Sequence, residues 1–107
     1  MTRYEKRLNQ LVEILKTFKP EKIYVFGSRV WGDSRSESDI DLAMIVDKKT
    51  DRLEIERKFY QKLIDTNYPY DIEPDLHIIS KDVFEYRLEN EDPFVSDIAK
   101  GRILYGQ

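Results

Sequence analysis

A chain of 107 residues and 12.8 kDa has room for one packed core, so a single domain spanning residues 1–107 is expected. Its 40% hydrophobic content argues against disorder, while 18 basic against 21 acidic residues, a net charge of −3, exclude bulk attraction to a nucleic-acid backbone. The absence of cysteine excludes disulfides, thiolate metal sites and thiol nucleophiles, and a lone His77 is too little for a multi-His zinc site or Ser-His chemistry.

Leu8, Leu11, Val12, Leu15 and Phe18 recur at three- and four-residue spacing, which predicts an amphipathic helix over about 4–18, stopped by Pro20. Ile23-Tyr24-Val25-Phe26 is a short β-branched and aromatic run that ends at Gly27-Ser28 and predicts a buried strand. The polar stretch from Arg29 to Ser38 reads as loop, with Val30 and Trp31 able to form one helical turn before Gly32. Asp39 to Val46 begins with charge and continues apolar on both faces, as a central strand covered on each side would.

Residues 51–65 set Leu53, Ile55, Phe59, Leu63 and Ile64 among alternating charges, so a second amphipathic helix is expected, with Glu54 and Lys58 paired on its wet face. Pro74 cannot donate to a ladder, which places the start of the next strand at Asp75 and its end near Ile79. Ser80 can cap a helix running to about Leu88, and a last helix follows Pro93 with Phe94, Val95 and Ile98. Gly101 closes it, and Arg102-Ile103-Leu104-Tyr105 reads as an edge strand. The order αβ(α)βαβααβ places the chain in the α/β (α+β) class. No run approaches the roughly 18 apolar residues that span a bilayer, and MTRYEKRLNQ lacks a secretory signal's apolar stretch, so no membrane contact and a cytoplasmic location are expected.

The chemistry-bearing pattern is Phe26-Gly27-Ser28, ten residues, then Asp39-Ile40-Asp41 at the head of a strand. A D-x-D alone arises about 0.4 times by chance in such a chain, so the combination carries the weight. Asp39 and Asp41 project from one strand face with Cα atoms roughly 6.6 Å apart. Two bare carboxylates so placed repel, and a divalent cation removes that cost; an all-oxygen donor set selects Mg²⁺ or Mn²⁺ over zinc. With a third acid, two metals about 3.5–4 Å apart would suit phosphoryl or nucleotidyl transfer. Gly27 permits close backbone approach to a phosphate and Ser28 offers a hydroxyl and an N–H. GSRVWGDS has no Gly-Lys-Ser/Thr, so this is not a Walker loop.

In these residues the chain resembles the nucleotidyltransferase superfamily whose fold is shared with DNA polymerase β, in particular its minimal nucleotidyltransferase (MNT) members. Residues 26–42 match the strand-GS-x10-DxD pattern in residue type and spacing, and the similarity extends from the first helix to Gly101–Gly106. The resemblance implies a small mixed sheet flanked by helices, as in a polymerase β-like nucleotidyltransferase core, and metal ligation and catalysis by Asp39, Asp41 and a third acid on a neighbouring strand, with Gly27, Ser28 and Ser38 on the nucleotide. Asp75 is the favoured third acid because it opens the run LHIIS, with Glu73 and Asp71, of the same parity, as alternatives. It further implies Mg²⁺ or Mn²⁺ as cofactor, ATP as substrate, and a helical HEPN-domain partner, as in toxin–antitoxin pairs where the MNT antitoxin adds AMP to a toxin tyrosine. The alternatives are an inactive nucleotide-binding antitoxin acting by occlusion, and transfer to an aminoglycoside-like compound. Arg29 and Arg35 read as solvated loop charges, Trp31 as a partly buried anchor, and the run Glu89–Asp92 as a wet loop. His77 shares parity with Asp75 and reads as a sheet histidine, with a role as base the sharper alternative.

Overall fold

The computed structural model describes residues 2–27 and 39–106. The order is α1 (Arg3–Lys16), β1 (Lys22–Phe26), β2 (Ile40–Val46), α2 (Arg52–Asp65), β3 (Pro74–Ser80), α3 (Lys81–Glu89), α4 (Pro93–Ala99) and β4 (Arg102–Tyr105). The strands form one mixed sheet in the order β3-β2-β1-β4. β1 is antiparallel to both β2 and β4, whereas β2 and β3 are parallel. A parallel pair needs a crossover, and α2 supplies it.

Alternation along the strands divides the interior in two. Ile23, Val25, Ile40, Leu42, Met44 and Val46 face α1 and α2, where they meet Leu11, Leu15, Phe59 and Leu63. Tyr24, Phe26, Ala43, Ile45 and Ile79 face α3 and α4 and meet Phe84, Val95 and Ile98. Covered on both faces, β2 is buried at every position except Asp41. The Thr2 hydroxyl and the Asp51 carboxylate cap α1 and α2 by accepting from the N–H of Glu5 and Glu54, at 3.1 and 3.2 Å.

Three expectations need adjustment. Leu53 and Ile64 are not core residues: they are 79% and 64% exposed. At 3.6 residues per turn they lie roughly 120–140° around α2 from the inward line of Ile55, Phe59 and Leu63. Pro74 belongs to β3, opposite Ile40, because it is the first residue of a strand at the sheet's edge, where a missing N–H is harmless. Ser80 precedes α3 as expected, but its side chain makes no capping bond; its hydroxyl bonds the Asp82 carboxylate and holds that acid below the usual range. The Glu54–Lys58 pair forms, at 3.7 Å. Among the described residues no helix is long and apolar enough to cross a membrane.

Candidate active site

Asp39, just before β2, is exposed, and one pleat later β2 places Asp41 between two neighbours in register: Phe26 of β1 on one side and Asp75 of β3 on the other. Opposed residues in adjacent strands have Cβ atoms about 4.5–5.5 Å apart and point to the same face. The sheet therefore sets two carboxylates side by side. Asp75, at the edge, remains half exposed.

The Asp41 carboxyl is pushed above the usual carboxylate range, first by burial and then by the negative charge of Asp75; His77 pulls it down and Asp39 adds to the rise. A carboxyl destabilised as an anion by burial and a like charge is one that a cation would stabilise. Gly27, just beyond β1, fits the same arrangement: at φ +88° it adopts a conformation that favours glycine, and a Cβ there would lie 2.5 Å from Oδ2 of Asp41. The carboxylate occupies the space that any other side chain would fill.

The other acids are placed differently. Asp71 is committed to Arg7, which donates from Nε at 2.6 Å and from Nη2 at 2.9 Å, with Arg3 3.6 Å away. This bidentate bond holds the Asp71 carboxyl below the usual range, and removes Asp71 from the acids free to complete the site. Glu73 lies just before β3, and its carbonyl accepts from the N–H of Ile40 at 2.9 Å, extending the β2–β3 ladder. The charged neighbours acting on Asp41 are Asp75, His77 and Asp39. Among the described residues no group of three acids or imidazoles is drawn together as a metal cluster, although Asp41 and Asp75 already meet across the two strands. Three hard oxygen donors, two of them adjacent in register, fit Mg²⁺ or Mn²⁺. Ser28 and Ser38, with Arg29, Val30, Trp31 and Arg35, lie outside the described residues.

Two site neighbours carried weaker signals. His77 follows Asp75 on the same face, and its Nε2 is 3.4 Å from Oδ2 of Asp75; their shared parity was visible in the sequence. Phe94, which helical spacing assigns to a buried face, is 41% exposed. Its ring stands edge-on to His77 and Phe26, with centroids 5.1 and 5.8 Å away. Only the sheet register, which sets Phe26 beside Asp41 and His77 beyond Asp75, makes these rings a wall of the site.

Solved structures with the same fold are a toxin-antitoxin MntA-HepT mutant (22% identical, TM-score 0.57, covering 92% of this chain and 73% of that one) and a toxin-antitoxin with AMP-PNP (24%, TM-score 0.56, 92% and 73%). A further one is the toxin-antitoxin MntA-HepT (21%, TM-score 0.51, 96% and 73%). No curated protein sequence matches the chain. Residues 9–107 match the family model of polymerase beta nucleotidyltransferases, and the chain, with its paired acids on adjacent strands beside a left-handed glycine, belongs to that family.

Proposed function

We propose that the protein transfers AMP from ATP to a hydroxyl of a partner protein, a helical HEPN-type toxin, and acts as the antitoxin of that pair. The observation that carries the reading is the registered adjacency of Asp41 and Asp75 next to Gly27, with Asp39 one pleat away. The fold shared with toxin-antitoxin structures, one of them with AMP-PNP, supports the nucleotide and the kind of partner.

In this reading Asp39, Asp41 and Asp75 hold the metal ions, and Gly27, Ser28 and Ser38 hold the triphosphate. Bound divalent ions would neutralise the phosphates and the charge that develops as the bond to the leaving group breaks. The acceptor oxygen attacks the α-phosphorus, the bond from that phosphorus to the bridging oxygen breaks, and pyrophosphate leaves. The hydroxyl proton passes to a carboxylate, and half-exposed Asp75 is the accessible one. Gly27 keeps room for the Asp41 carboxylate while letting the backbone approach the phosphates.

The test incubates the chain with ATP, Mg²⁺ and a purified helical HEPN-type candidate partner, and follows the partner's intact mass. The expected result is a gain equal to AMP that disappears with Asp39→Asn/Asp41→Asn. No gain on the partner, together with neutralisation that survives the double substitution, would replace transfer by occlusion.

A further inference from the structure

We infer that His77 is a positioning residue for the acid pair, holding the Asp75 carboxylate toward Asp41; this rests on the proposal that Asp41 and Asp75 are metal ligands. Asp75 sits on an edge strand, so only β2 restrains it from the sheet side. A half-exposed aspartate there has two side-chain torsions to lose before it can share an ion with Asp41. His77 lies one pleat farther along the same face, with Nε2 3.4 Å from Oδ2 of Asp75, close enough to restrict both torsions.

The imidazole is itself braced. Phe26 lies on one side of it, with centroids 5.8 Å apart and planes at 54°, and Phe94 on another, at 5.1 Å and 69°. The two phenyl rings meet edge to face at 5.8 Å and 82°, so the three rings support one another. Phe94 is fixed by its position at the start of α4, where the Asp92 carboxylate accepts from the N–H groups of Phe94 and Val95 at 2.9 and 3.1 Å, and by the buried anchors Val95 and Ile98. A continuous set of contacts thus runs from the α4 cap through Phe94 and His77 to Asp75. Groups that orient a metal ligand typically change metal affinity by 10- to 100-fold when removed. A partly exposed contact such as this one belongs at the low end of that range.

The experiment measures Mn²⁺ affinity by electron paramagnetic resonance in the presence of AMP-PNP, alongside the melting temperature of the metal-free protein. The variants are His77→Ala, His77→Gln, Phe94→Ala and Asp75→Asn. His77→Ala is expected to weaken Mn²⁺ binding by about tenfold. His77→Gln, which keeps a nitrogen near the Nε2 position, should restore most of it. Phe94→Ala, which removes only the outer brace, should weaken binding severalfold, and it remains informative if His77→Ala fails to fold. Mn²⁺ binding by His77→Ala and Phe94→Ala within twofold of the parent, while Asp75→Asn loses it, would overturn the inference and leave the acid pair standing. Equal loss in His77→Ala and His77→Gln would also overturn it, since the nitrogen would then be irrelevant. Undiminished binding by Asp75→Asn would remove the acid-pair reading itself.

Discussion

Gly27→Ala separates the stability of the fold from the readiness of the site. The glycine has φ +88°, and a methyl group there would come 2.5 Å from Oδ2 of Asp41 but 3.4 Å from its Cγ and 3.7 Å from its Cβ. Only the outer atom of a side chain is in the way, so turning the carboxylate about its terminal torsion relieves the collision without moving backbone. The stability loss then comes from the left-handed backbone, about 1–2 kcal/mol for an L-residue. For a chain of this size that lowers the melting temperature by about 5–10 °C. Binding suffers more, because the turned carboxylate no longer lies alongside Asp75, and Mn²⁺ affinity should fall by more than about tenfold. Thermal unfolding of the metal-free protein by circular dichroism gives the first quantity, and paramagnetic resonance with AMP-PNP the second. In an Asp41→Ala background the collision is gone and the backbone cost stays, so adding Gly27→Ala should still cost about 1–2 kcal/mol. A Gly27→Ala protein with the parent's melting temperature, or with its Mn²⁺ affinity, would refute the reasoning.

Asp41→Asn should raise the melting temperature of the metal-free protein at neutral pH. The Asp41 carboxyl is raised in the fold above 3.8, so its contribution to stability is complete below that value and is lost as pH climbs through the folded one. Removing the charge recovers up to about 1 kcal/mol after solvent screening, and the variant should no longer be stabilised by Mn²⁺ in a thermal shift assay. Tyr68, which is buried and donates its hydroxyl to the carbonyl of Ile72, is pushed up to about 12, by burial first and then by Asp71. Its contribution is complete below pH 10 and lost as pH rises toward 12, so urea titrations should show an alkaline loss of stability that Tyr68→Phe lacks. At neutral pH the same substitution should cost about 1–2 kcal/mol, because it strands a buried carbonyl. Leu53→Glu should change stability by less than about 0.5 kcal/mol despite the residue's apolar character, since its side chain is 79% exposed; a loss above about 2 kcal/mol in urea unfolding would show that it packs.

Elements with a clean period were legible in the sequence. The stripe of α1 and the buried run of β2 could be placed because burial on one helical face or on both strand faces leaves its period in the residues. The stripe of α2 was legible only in part: Leu53 and Ile64 are apolar yet off the inward line, and spacing within a mixed stripe does not say which face turns to the sheet. The grouping of Gly27 and Asp39 around Asp41 was legible through their spacing. The relation of Asp75 to Asp41 was not, because strand parity allows Asp71, Glu73 or Asp75 alike, and only the β2–β3 register sets one of them opposite Asp41. Asp71 was a candidate until the fold brought Arg7 to it across 64 positions of sequence.

The placement of Asp41 couples the site to the sheet. It is the one residue of β2 that is not buried, and it stands beside a second carboxylate in a strand otherwise made wholly of core. A slip of one residue between β2 and β3 would turn Asp75 to the opposite face and bring Leu76 beside Asp41. The register is held by the apolar pairs farther along: Leu42 beside Leu76, Met44 beside Ile78 and Ile45 beside Ile79. Packing on both faces therefore fixes the approach of two like charges that, left alone, would move apart. In the proposed metal site a bound cation would relieve that repulsion and return it as binding energy. At a metal concentration one hundred times its dissociation constant, the linkage would stabilise the fold by about 2.7 kcal/mol, so ion binding and sheet stability would be two readings of one equilibrium.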